Sequence, residues 1–408
     1  MRRVVITGAG IVSPLGDDMD TFFASLLAAK SGIRLLPGEP EVGLDPLVAG
    51  VVDFDPALHL SKFQAKQLDR VSQFSLAAGR QALGNAGLPF AETGRDRFGV
   101  SWGTGLGGIH SMEDAYISVY RDRTGRPHPL TVVRGMTNAA AAHLSMEFGL
   151  RGPSQTLSNA CASSAMALGE AMRAIRHGYA DVMLAGGAEA LLTSGTMRAW
   201  SMMGILATPD PDDPAKSCKP FSVDRSGLVL AEGAVALVLE SETHARARGA
   251  TILAELAGYG SAADASHLSK PDADGQARAM RQALRDAALE ADAIGYINAH
   301  GTATEVGDIV ETQALRQVFG AAPPPVSSTK ALHGHLMGAA GAIEFLASLL
   351  ALRRGILPPT AHLDNPDPLC DLDYIANTPR AAGGIDAVLS NSFAFGGGNA
   401  VLVARRYA

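Results

Sequence analysis

The chain has 408 residues, more than an ordinary domain of about 100–200 residues contains, so two closely packed halves or one large layered domain is expected. Hydrophobic residues make up 47% of the chain and charged residues 18%, a composition that excludes a disordered or fibrous protein. The formal net charge of −7 argues against nucleic acid as a partner, because nucleic-acid-binding proteins usually carry a basic excess.

The cysteines and the N-terminus indicate the compartment. Cys161, Cys218 and Cys370 are too few and too far apart for a disulfide framework or a CxxC metal site. The N-terminal MRRVVITGAG lacks the apolar stretch of about 7–15 residues that a secretory signal needs. Since no run of about 18 apolar residues occurs, the sequence predicts a cytoplasmic protein without a membrane partner.

Short β-branched runs alternate with longer Ala-, Leu- and Met-rich segments, which predicts a layered α/β fold. Several runs are apolar throughout, as is typical of strands covered on both faces. In chain order, we predict strands at 4–7, 182–185, 235–239, 294–299, 387–390 and 401–404, and helices at 70–86, 162–177, 275–288, 308–318 and 339–353.

A weak internal repeat is also visible. The segments 168–178 and 343–355 end helices in the same Arg-x-Gly fashion, and similar strands follow at 234–240 and 400–406. A duplicated α/β unit would explain both the likeness and the length. Coincidence between common helix endings explains the likeness equally well.

Cys161 lies in SNACASSAMALGEAMRAIRHG, just before a segment with helical spacing. A helix N-terminus favours the thiolate over the thiol, and a thiolate is a good acyl acceptor. The commoner alternative is a buried structural cysteine.

His300 ends a strand-like run in INAHGTATEVGD, and Asp308 is predicted to cap the helix that follows. A side chain at the carboxyl end of such a strand faces the crevice where open α/β sheets bind ligands. An imidazole there can donate a hydrogen bond or exchange a proton. A hydrogen-bonded structural histidine is the alternative.

The segment STKALHGHLMGAAGAIE contains Lys330, His333, His335 and Glu344. Glu344 lies in an apolar stretch and is expected to have a cationic partner, because unpaired charges are rarely buried. The two histidines could form a zinc site with His300, but no carboxylate or cysteine is spaced with them. Hydrogen-bond donors to a developing oxyanion are therefore the favoured interpretation.

Two glycine-rich segments lead to different conclusions. In SNSFAFGGGNA, at 390–400, three glycines allow backbone N–H groups to approach a ligand, although a plain turn would have the same composition. In TGAGIVSPLG, at 7–16, Ser13 breaks the G-x-G-x-x-G pattern, so no nicotinamide site is predicted.

Together and in this order, these segments resemble the β-ketoacyl synthases of the thiolase superfamily, especially the elongating type II carrier-protein enzymes. The resemblance covers nearly the whole chain, including FGLRGP at 148–153, ADVMLAGGAEA at 180–190 and PFSVDRSGLVLAEGA at 220–234. It implies a thiolase-like fold of two similar βαβαβαββ halves in five αβαβα layers. Residues 1–250 would carry the nucleophile and residues 251–408 the two catalytic histidines.

The resemblance also implies the reaction, a decarboxylative Claisen condensation of a cysteine-bound acyl chain with malonyl-acyl carrier protein, in fatty-acid or polyketide elongation. This reaction needs no redox cofactor and no metal, so none is expected. The substrates would be carried on the phosphopantetheine of the acyl carrier protein. The implied site residues are Cys161 as nucleophile, His300 and His335 as the decarboxylating pair, Lys330 with Glu344 and Asp308 as the supporting network, Thr302 and Thr304 beside the pantetheine arm, and Phe395, Gly396 and Gly397 as gate and oxyanion hole.

The implied partners are an acyl carrier protein and a second subunit, either another copy or a chain-length-factor-like chain. A basic rim would dock the acidic carrier through Lys62, Lys66, Arg70, Arg123 and Arg126. The loop at 201–206 lacks a basic residue common in the family, and Ala394 and Gly398 depart from its Gly-Phe-Gly-Gly-Thr-Asn pattern. The first departure removes part of the family's carrier-docking pattern. Ala394 and the stretch 386–404 look more like nodulation-type and polyketide enzymes, so the pathway stays open.

Three alternatives come from other classes. A non-catalytic chain-length-factor-like subunit would lack the nucleophile, whereas Cys161 is present. A thiolase would need a second cysteine in the C-terminal glycine-rich loop, and residues 393–399 contain none. An inactive carrier-binding scaffold would be separated from an enzyme by an acyl-transfer assay.

Overall fold

The predicted strands and helices are all present, and most strands extend beyond their predicted ends. The structure is a computed structural model that describes residues 1–88 and 95–408. The strands are β1 Val4–Val12, β2 Ile33–Leu36, β3 Leu47–Gly50, β4 Phe98–Gly103, β5 Ser154–Leu157, β6 Val182–Glu189, β7 Leu230–Ala231, β8 Gly233–Ser241, β9 Ala254–Ala263, β10 Tyr296–Asn298, β11 Val326–Ser327, β12 Ile356–Leu357, β13 Arg380–Ala381, β14 Ala387–Phe393 and β15 Gly398–Arg405. The helices are α1 Met19–Leu27, α2 Pro56–His59, α3 Lys62–Gln67, α4 Arg70–Asn85, α5 Ile109–Tyr116, α6 Thr131–Gly135, α7 Ala139–Phe148, α8 Ser163–Arg176, α9 Ser194–Ser201, α10 Glu242–Ala247, α11 Ala273–Ala287, α12 Glu305–Phe319, α13 Lys330–His333 and α14 Ala340–Arg354.

Ten of the described strands form one continuous sheet in the order β11-β10-β14-β15-β9-β1-β8-β6-β4-β5. The two ends of this order mirror each other, because β5-β4-β6-β8-β1 repeats as β11-β10-β14-β15-β9 with the same parallel and antiparallel pairings. The halves join where β1 pairs with β9 through Val5–Glu255 and Ile6–Ala254. The internal repeat suggested by the sequence is therefore a duplicated unit and no coincidence.

The helices complete five layers. Helices α4 and α7 pack on one half of the sheet and α11 on the other, where α12 packs against α11. Helices α8 and α14 lie between the halves and contact each other as well as the strands on either side. Each half reads β-α-β-α-β-α-β-β, which confirms the predicted αβαβα arrangement. The predicted division at 250/251 falls between α10 and β9 and stays a prediction.

The central helices approach closely because their contact residues are small. A Cβ atom added at Gly341 would lie 2.7 Å from the Cβ of Ala165. The hydroxyl of Ser164 also accepts the backbone N–H of Ala342 at 3.0 Å. Helix α14 is buried from Ala340 to Leu352, so it belongs to the core and not to a membrane-facing surface. Within the part of the chain that the structure describes, no helix has the length and apolar character to cross a membrane.

Candidate active site

Cys161 lies at a sharp turn between β5 and α8. The preceding residue, Ala160, has a φ of +45°, a left-handed conformation that is uncommon for a residue with a Cβ. Ser163 stabilises the turn, because its hydroxyl accepts the N–H of Asn159 at 2.8 Å and donates to the carbonyl of Ala160 at 2.7 Å. The cysteine thus precedes a helix, as the sequence predicts.

Burial opposes the thiolate that the helix start would favour at Cys161. Burial raises the pKa of Cys161 to about 12, and the opposing effects of Lys330 and of the backbone N–H groups of Phe395 and Cys161 are smaller. Desolvation disfavours a charged sulfur more strongly than a helix start stabilises it. Burial therefore favours the neutral thiol over the thiolate.

His335 lies directly beside the sulfur, with Nε2 at 3.0 Å from Sγ of Cys161. Its other ring nitrogen, Nδ1, faces the backbone N–H of Met337 at 3.3 Å and accepts it. In a neutral imidazole that accepts at Nδ1, the proton is on Nε2. His335 consequently presents an N–H donor to the space around the sulfur.

His300 reaches the same point from the carboxyl end of β10. Its ring centroid lies 5.3 Å from that of His335, at an interplanar angle of 83°. The ammonium of Lys330 lies 3.3 Å from Nδ1 of His300 and donates to its carbonyl at 2.5 Å. Since an ammonium only donates, Nδ1 is the acceptor and Nε2 of His300 carries the proton.

Both histidines are neutral. Burial, followed by the charge of Lys330, holds the pKa of His300 and of His335 well below the usual value. Two uncharged Nε2–H donors therefore converge near one thiol in a buried site.

Lys330 forms a buried ion pair with Glu344, the cationic partner that the sequence predicts for this carboxylate. Burial raises the pKa of Glu344 to about 7 against the opposing effect of Lys330. A buried pair adds little net stability but is costly to break, so it fixes the position of the ammonium behind His300.

Asp308 does not belong to this network and does not cap α12, which begins at Glu305. Its carboxylate accepts the N–H of Phe221 at 2.7 Å and lies 4.0 Å from Arg225. Glu311, one helical turn later, is the carboxylate at the site, since it accepts the N–H groups of His300 and Gly301 at 2.9 and 2.8 Å. Sequence analysis missed it, although Asp308 and Glu311 share one helix face.

His333 lies outside the cluster, because its ring contacts Thr329 and the carbonyl of Gly334. The zinc site read from His333, His335 and His300 is thus not formed by these residues. The ligand atoms of Cys161, His300 and His335 do lie within 4.8 Å of one another, a spacing that a metal ion would also accept. That no metal is required stays a prediction.

The glycine-rich loop covers the cysteine. Phe395 is 37% exposed and stacks on Trp200 with ring centroids 6.2 Å apart, a contact that sequence analysis missed. Gly396 and Gly397 have φ values of +83° and +73°, and the N–H of Gly396 donates to the carbonyl of Leu268 at 2.7 Å. The aromatic residue is therefore followed by two glycines at which the backbone can adopt left-handed conformations.

A cavity of about 530 Å³ leads from the surface to Cys161, His300 and His335. Thr302 and Thr304 line it, with hydroxyl oxygens 3.0 Å apart. Its walls also include Trp200, Met203, Leu268, Lys270, Val306 and Phe395. An extended, partly polar ligand fits such a tunnel.

Four of the five basic residues predicted to dock the carrier protein are exposed, and the fifth is not. Lys62, Lys66, Arg123 and Arg126 are exposed, as a docking surface requires. Arg70 is not available, because it forms a two-bond ion pair with the buried Glu232 at 2.7 and 2.9 Å. None of the five is among the residues that line the described cavity.

Replacing Gly397 with valine is expected to slow acyl loading about tenfold or more, with a smaller fractional loss of stability. A Cβ at Gly397 would lie 2.8 Å from the Cβ of Asp264 and would occupy a φ of +73°. Gly384→Val is the matched control, because Gly384 has a φ of +81° with nothing within 4 Å. Stopped-flow acylation and thermal melting measure the two effects. An equal slowing of acyl loading in both variants would mean that valine at a positive φ destabilises the protein generally and that Gly397 has no particular role in loading.

The mirrored α/β halves and the buried cysteine–histidine–histidine cluster define a condensing enzyme of the thiolase-fold class. Family models described as β-ketoacyl synthase, N-terminal domain, and β-ketoacyl synthase, C-terminal domain, match residues 1–245 and 253–364. The chain belongs to the β-ketoacyl synthase family.

Curated relatives span the full length. Nodulation protein E of Rhizobium meliloti (strain 1021) is 43% identical over 403 residues, covering 98% of each chain. The 3-oxoacyl-[acyl-carrier-protein] synthase 2 of Coxiella burnetii is 40% identical over 410 residues, covering 99% of each.

Solved structures with the same fold include ketosynthases. A type II polyketide ketosynthase in complex with its acyl-carrier protein is 33% identical, with a TM-score of 0.91 and full coverage of both chains. The ishigamide ketosynthase/chain length factor is 36% identical, with the same TM-score and coverage. The predicted fold and ketosynthase class are confirmed, and the chain is an acyltransferase that catalyses an elongating Claisen condensation.

Proposed function

We propose that Cys161 accepts the acyl chain and that His300 and His335 activate the malonyl extender. In the first half-reaction, the sulfur of Cys161 attacks the acyl thioester of a carrier protein. The carrier's phosphopantetheine thiol leaves and takes up the proton that Cys161 loses. The backbone N–H groups of Cys161 and Phe395, which are directed at the sulfur, stabilise the tetrahedral oxyanion.

In the second half-reaction, malonyl-carrier protein loses CO₂ and its electron pair forms an enolate. The enolate oxygen accepts hydrogen bonds from Nε2–H of His300 and of His335. The enolate carbon then attacks the Cys161 thioester, the carbon–sulfur bond breaks, and the sulfur regains a proton. One acyl group, one malonyl thioester and one proton give a 3-ketoacyl thioester and CO₂. Because this balance transfers no electrons to an acceptor, no redox cofactor takes part.

The observation that carries this proposal is the 3.0 Å approach of His335 Nε2 to the Cys161 sulfur at the floor of the cavity. The purified chain is expected to convert acyl-carrier and malonyl-carrier thioesters into 3-ketoacyl-carrier protein, detected by mass spectrometry. Formation of product by the chain alone excludes the chain-length-factor-like role. Product only after addition of a separate catalytic ketosynthase would support that role and contradict the proposal.

A carrier protein is the proposed partner, docked at the exposed Lys62, Lys66, Arg123 and Arg126. Reversing two of these charges is expected to raise the KM for carrier-bound substrate several-fold, since exposed pairs are individually worth about 0–1 kcal/mol. Small pantetheine thioesters should be unaffected, and added salt should shrink the effect, because screening acts over about 8–10 Å. Steady-state kinetics at two ionic strengths measures this. An unchanged, salt-independent KM would place docking elsewhere.

A second thiolase-fold subunit is proposed to pack on the β5 edge. Strand β5 ends the ladder with exposed Ser154 and Gln155, so its outer N–H and C=O groups are free to pair. Nearby in sequence, several large apolar side chains are exposed, namely Tyr116, Tyr120, Leu130, Val132, Val133 and Met136. The partner is a second copy or a chain-length-factor-like chain.

A further inference from the structure

The mouth of the active-site cavity carries few exposed charges. Lys270 and Glu305 are the exposed charged residues of its described lining. Among residues 1–88 and 95–408, the ammonium of Lys270 forms no ion pair, and its backbone N–H is the group that makes a hydrogen bond. A lysine without a partner at a tunnel mouth is free to bind an anionic part of whatever enters.

Arg225, the other basic residue that lines the cavity, already has hydrogen-bond and ion-pair partners. Its side chain is 3% exposed and pairs with Asp367 at 2.6 Å. Its remaining donors bond the carbonyls of Ser222, Thr304 and Glu305 at 2.6, 3.0 and 2.7 Å. With four of its five N–H donors bonded and its side chain almost fully buried, this guanidinium supports the wall and is not accessible to an incoming ligand.

The remaining mouth is apolar. Met203, Gly204 and Ile205 line it from the loop at 201–206, which has no charged residue, and Met202 beside them is 68% exposed. Leu268 and Val306 add further exposed apolar surface, at 77% and 54%. Lys270 is consequently the one positive charge at the described mouth that an incoming anion can reach.

The backbone that carries Lys270 is ordered. The ring nitrogen Nδ1 of His267 accepts the N–H groups of Ser269 and Lys270 at 3.1 and 3.3 Å. The adjacent carbonyl of Leu268 accepts the N–H of Gly396. These bonds fix the backbone that carries Lys270, so binding of an anion orders the lysine side chain and not the segment beneath it.

We propose that the ammonium of Lys270 binds the phosphate of the phosphopantetheine arm. The ligand's identity rests on the proposed function: the thioester end must reach Cys161 at the floor, so the phosphate at the other end lies at the mouth. An ammonium is a compact point charge that suits a phosphate oxygen. Glu305, exposed at the same mouth, repels phosphate and makes a local cation more necessary.

Binding can be followed without catalysis, because the chain has two tryptophans, of which Trp102 is fully buried and Trp200 lines the cavity. Fluorescence titrations with phosphopantetheine and with pantetheine, which differ in the phosphate, are compared. The wild type is expected to prefer phosphopantetheine by about threefold, the strength of one exposed ion pair. Lys270→Ala should lose this preference, Lys270→Arg should keep it, and Lys270→Glu should invert it.

Two controls make the result specific. Lys30→Ala removes the same charge from an exposed lysine outside the active-site cavity and should keep the wild-type preference. Glu305→Gln removes the opposing charge and should strengthen phosphopantetheine binding in the presence of Lys270. A wild type that binds both ligands equally, or a Lys270→Ala variant that keeps the preference, would overturn the assignment.

The kinetic form of the experiment separates this inference from the proposed function. Lys270→Glu should raise the KM for malonyl-phosphopantetheine and leave that for malonyl-pantetheine and the kcat unchanged. Comparing carrier-bound and coenzyme A thioesters shows which source of the phosphate is used, and a KM increase with either supports the assignment. An enzyme that keeps the Lys270-dependent preference but never condenses would contradict the proposed function alone.

Discussion

Cys161→Ala is expected to abolish condensation, with a loss of at least about 10³-fold, since removing a covalent nucleophile removes the whole acyl-enzyme route. The substitution deletes one sulfur atom beside His335 and leaves the turn at Ala160 and the start of α8 in place. The melting temperature should therefore change little while product formation disappears. Product release measured by mass spectrometry, together with a thermal melt, checks both parts.

The matched control is Cys218→Ala. Cys218 is also fully buried, and burial raises its pKa to about 12, as it does that of Cys161. The two thiols differ in position, because Cys218 lies in an apolar cluster with Val229 and Ala303. Cys218→Ala should retain condensation. A comparable loss in both variants would show that a buried thiol contributes to folding and would remove the distinction between them.

His300→Ala and His335→Ala are each expected to reduce CO₂ release from malonyl-carrier protein by about 10²–10³-fold, the usual effect of losing one oxyanion donor. Acyl loading of Cys161 should persist in part, because the backbone N–H groups of Cys161 and Phe395 remain. Radiolabelled CO₂ release and acyl-enzyme formation are measured side by side. Full decarboxylation in either variant would contradict the donor role.

The low pKa of both histidines predicts how the rate of CO₂ release depends on pH. A histidine is neutral above its pKa, and burial holds the pKa of both residues well below the usual value of about 6.5. CO₂ release should therefore not decline as the pH falls from 8 to 6. A decline through pH 6.5 that persists in a Glu344→Gln variant, which removes the neighbouring carboxyl with a pKa of about 7, would mean that one imidazole protonates there. His333→Asn is the matched control, because this buried histidine, with a pKa lowered to about 3, lies outside the cluster.

The chain order of strands and helices could be predicted because it depends on local periodicity. The strand at 387–390 and the helix at 339–353 have apolar patterns that their neighbours in sequence already define, and both are found within a few residues of their predicted bounds. The cysteine at a helix start and the histidine at a strand end were predicted for the same reason. Their convergence followed from the family resemblance, since Cys161 and His335 are 174 residues apart.

The helix start predicted at Asp308 is a local error, since α12 begins at Glu305, and the other errors concern long-range contacts. Arg70 was read as a free surface charge, but its partner Glu232 lies 162 residues away and is buried. The thiolate at Cys161 was inferred from the helix alone, and burial by other elements reverses the direction of its pKa. Glu311 was missed because its role depends on the backbone of His300, on another element. Local patterns carry no information about these distances.

The most direct measurement is the location of the acyl group. The wild-type chain is incubated with an acyl-carrier protein thioester in the absence of malonyl substrate, digested, and mapped by tandem mass spectrometry. The proposed mechanism predicts one stoichiometric acyl adduct, on the peptide that contains Cys161. An adduct confined to Cys218 or Cys370, or no covalent adduct while condensation still proceeds, would contradict it.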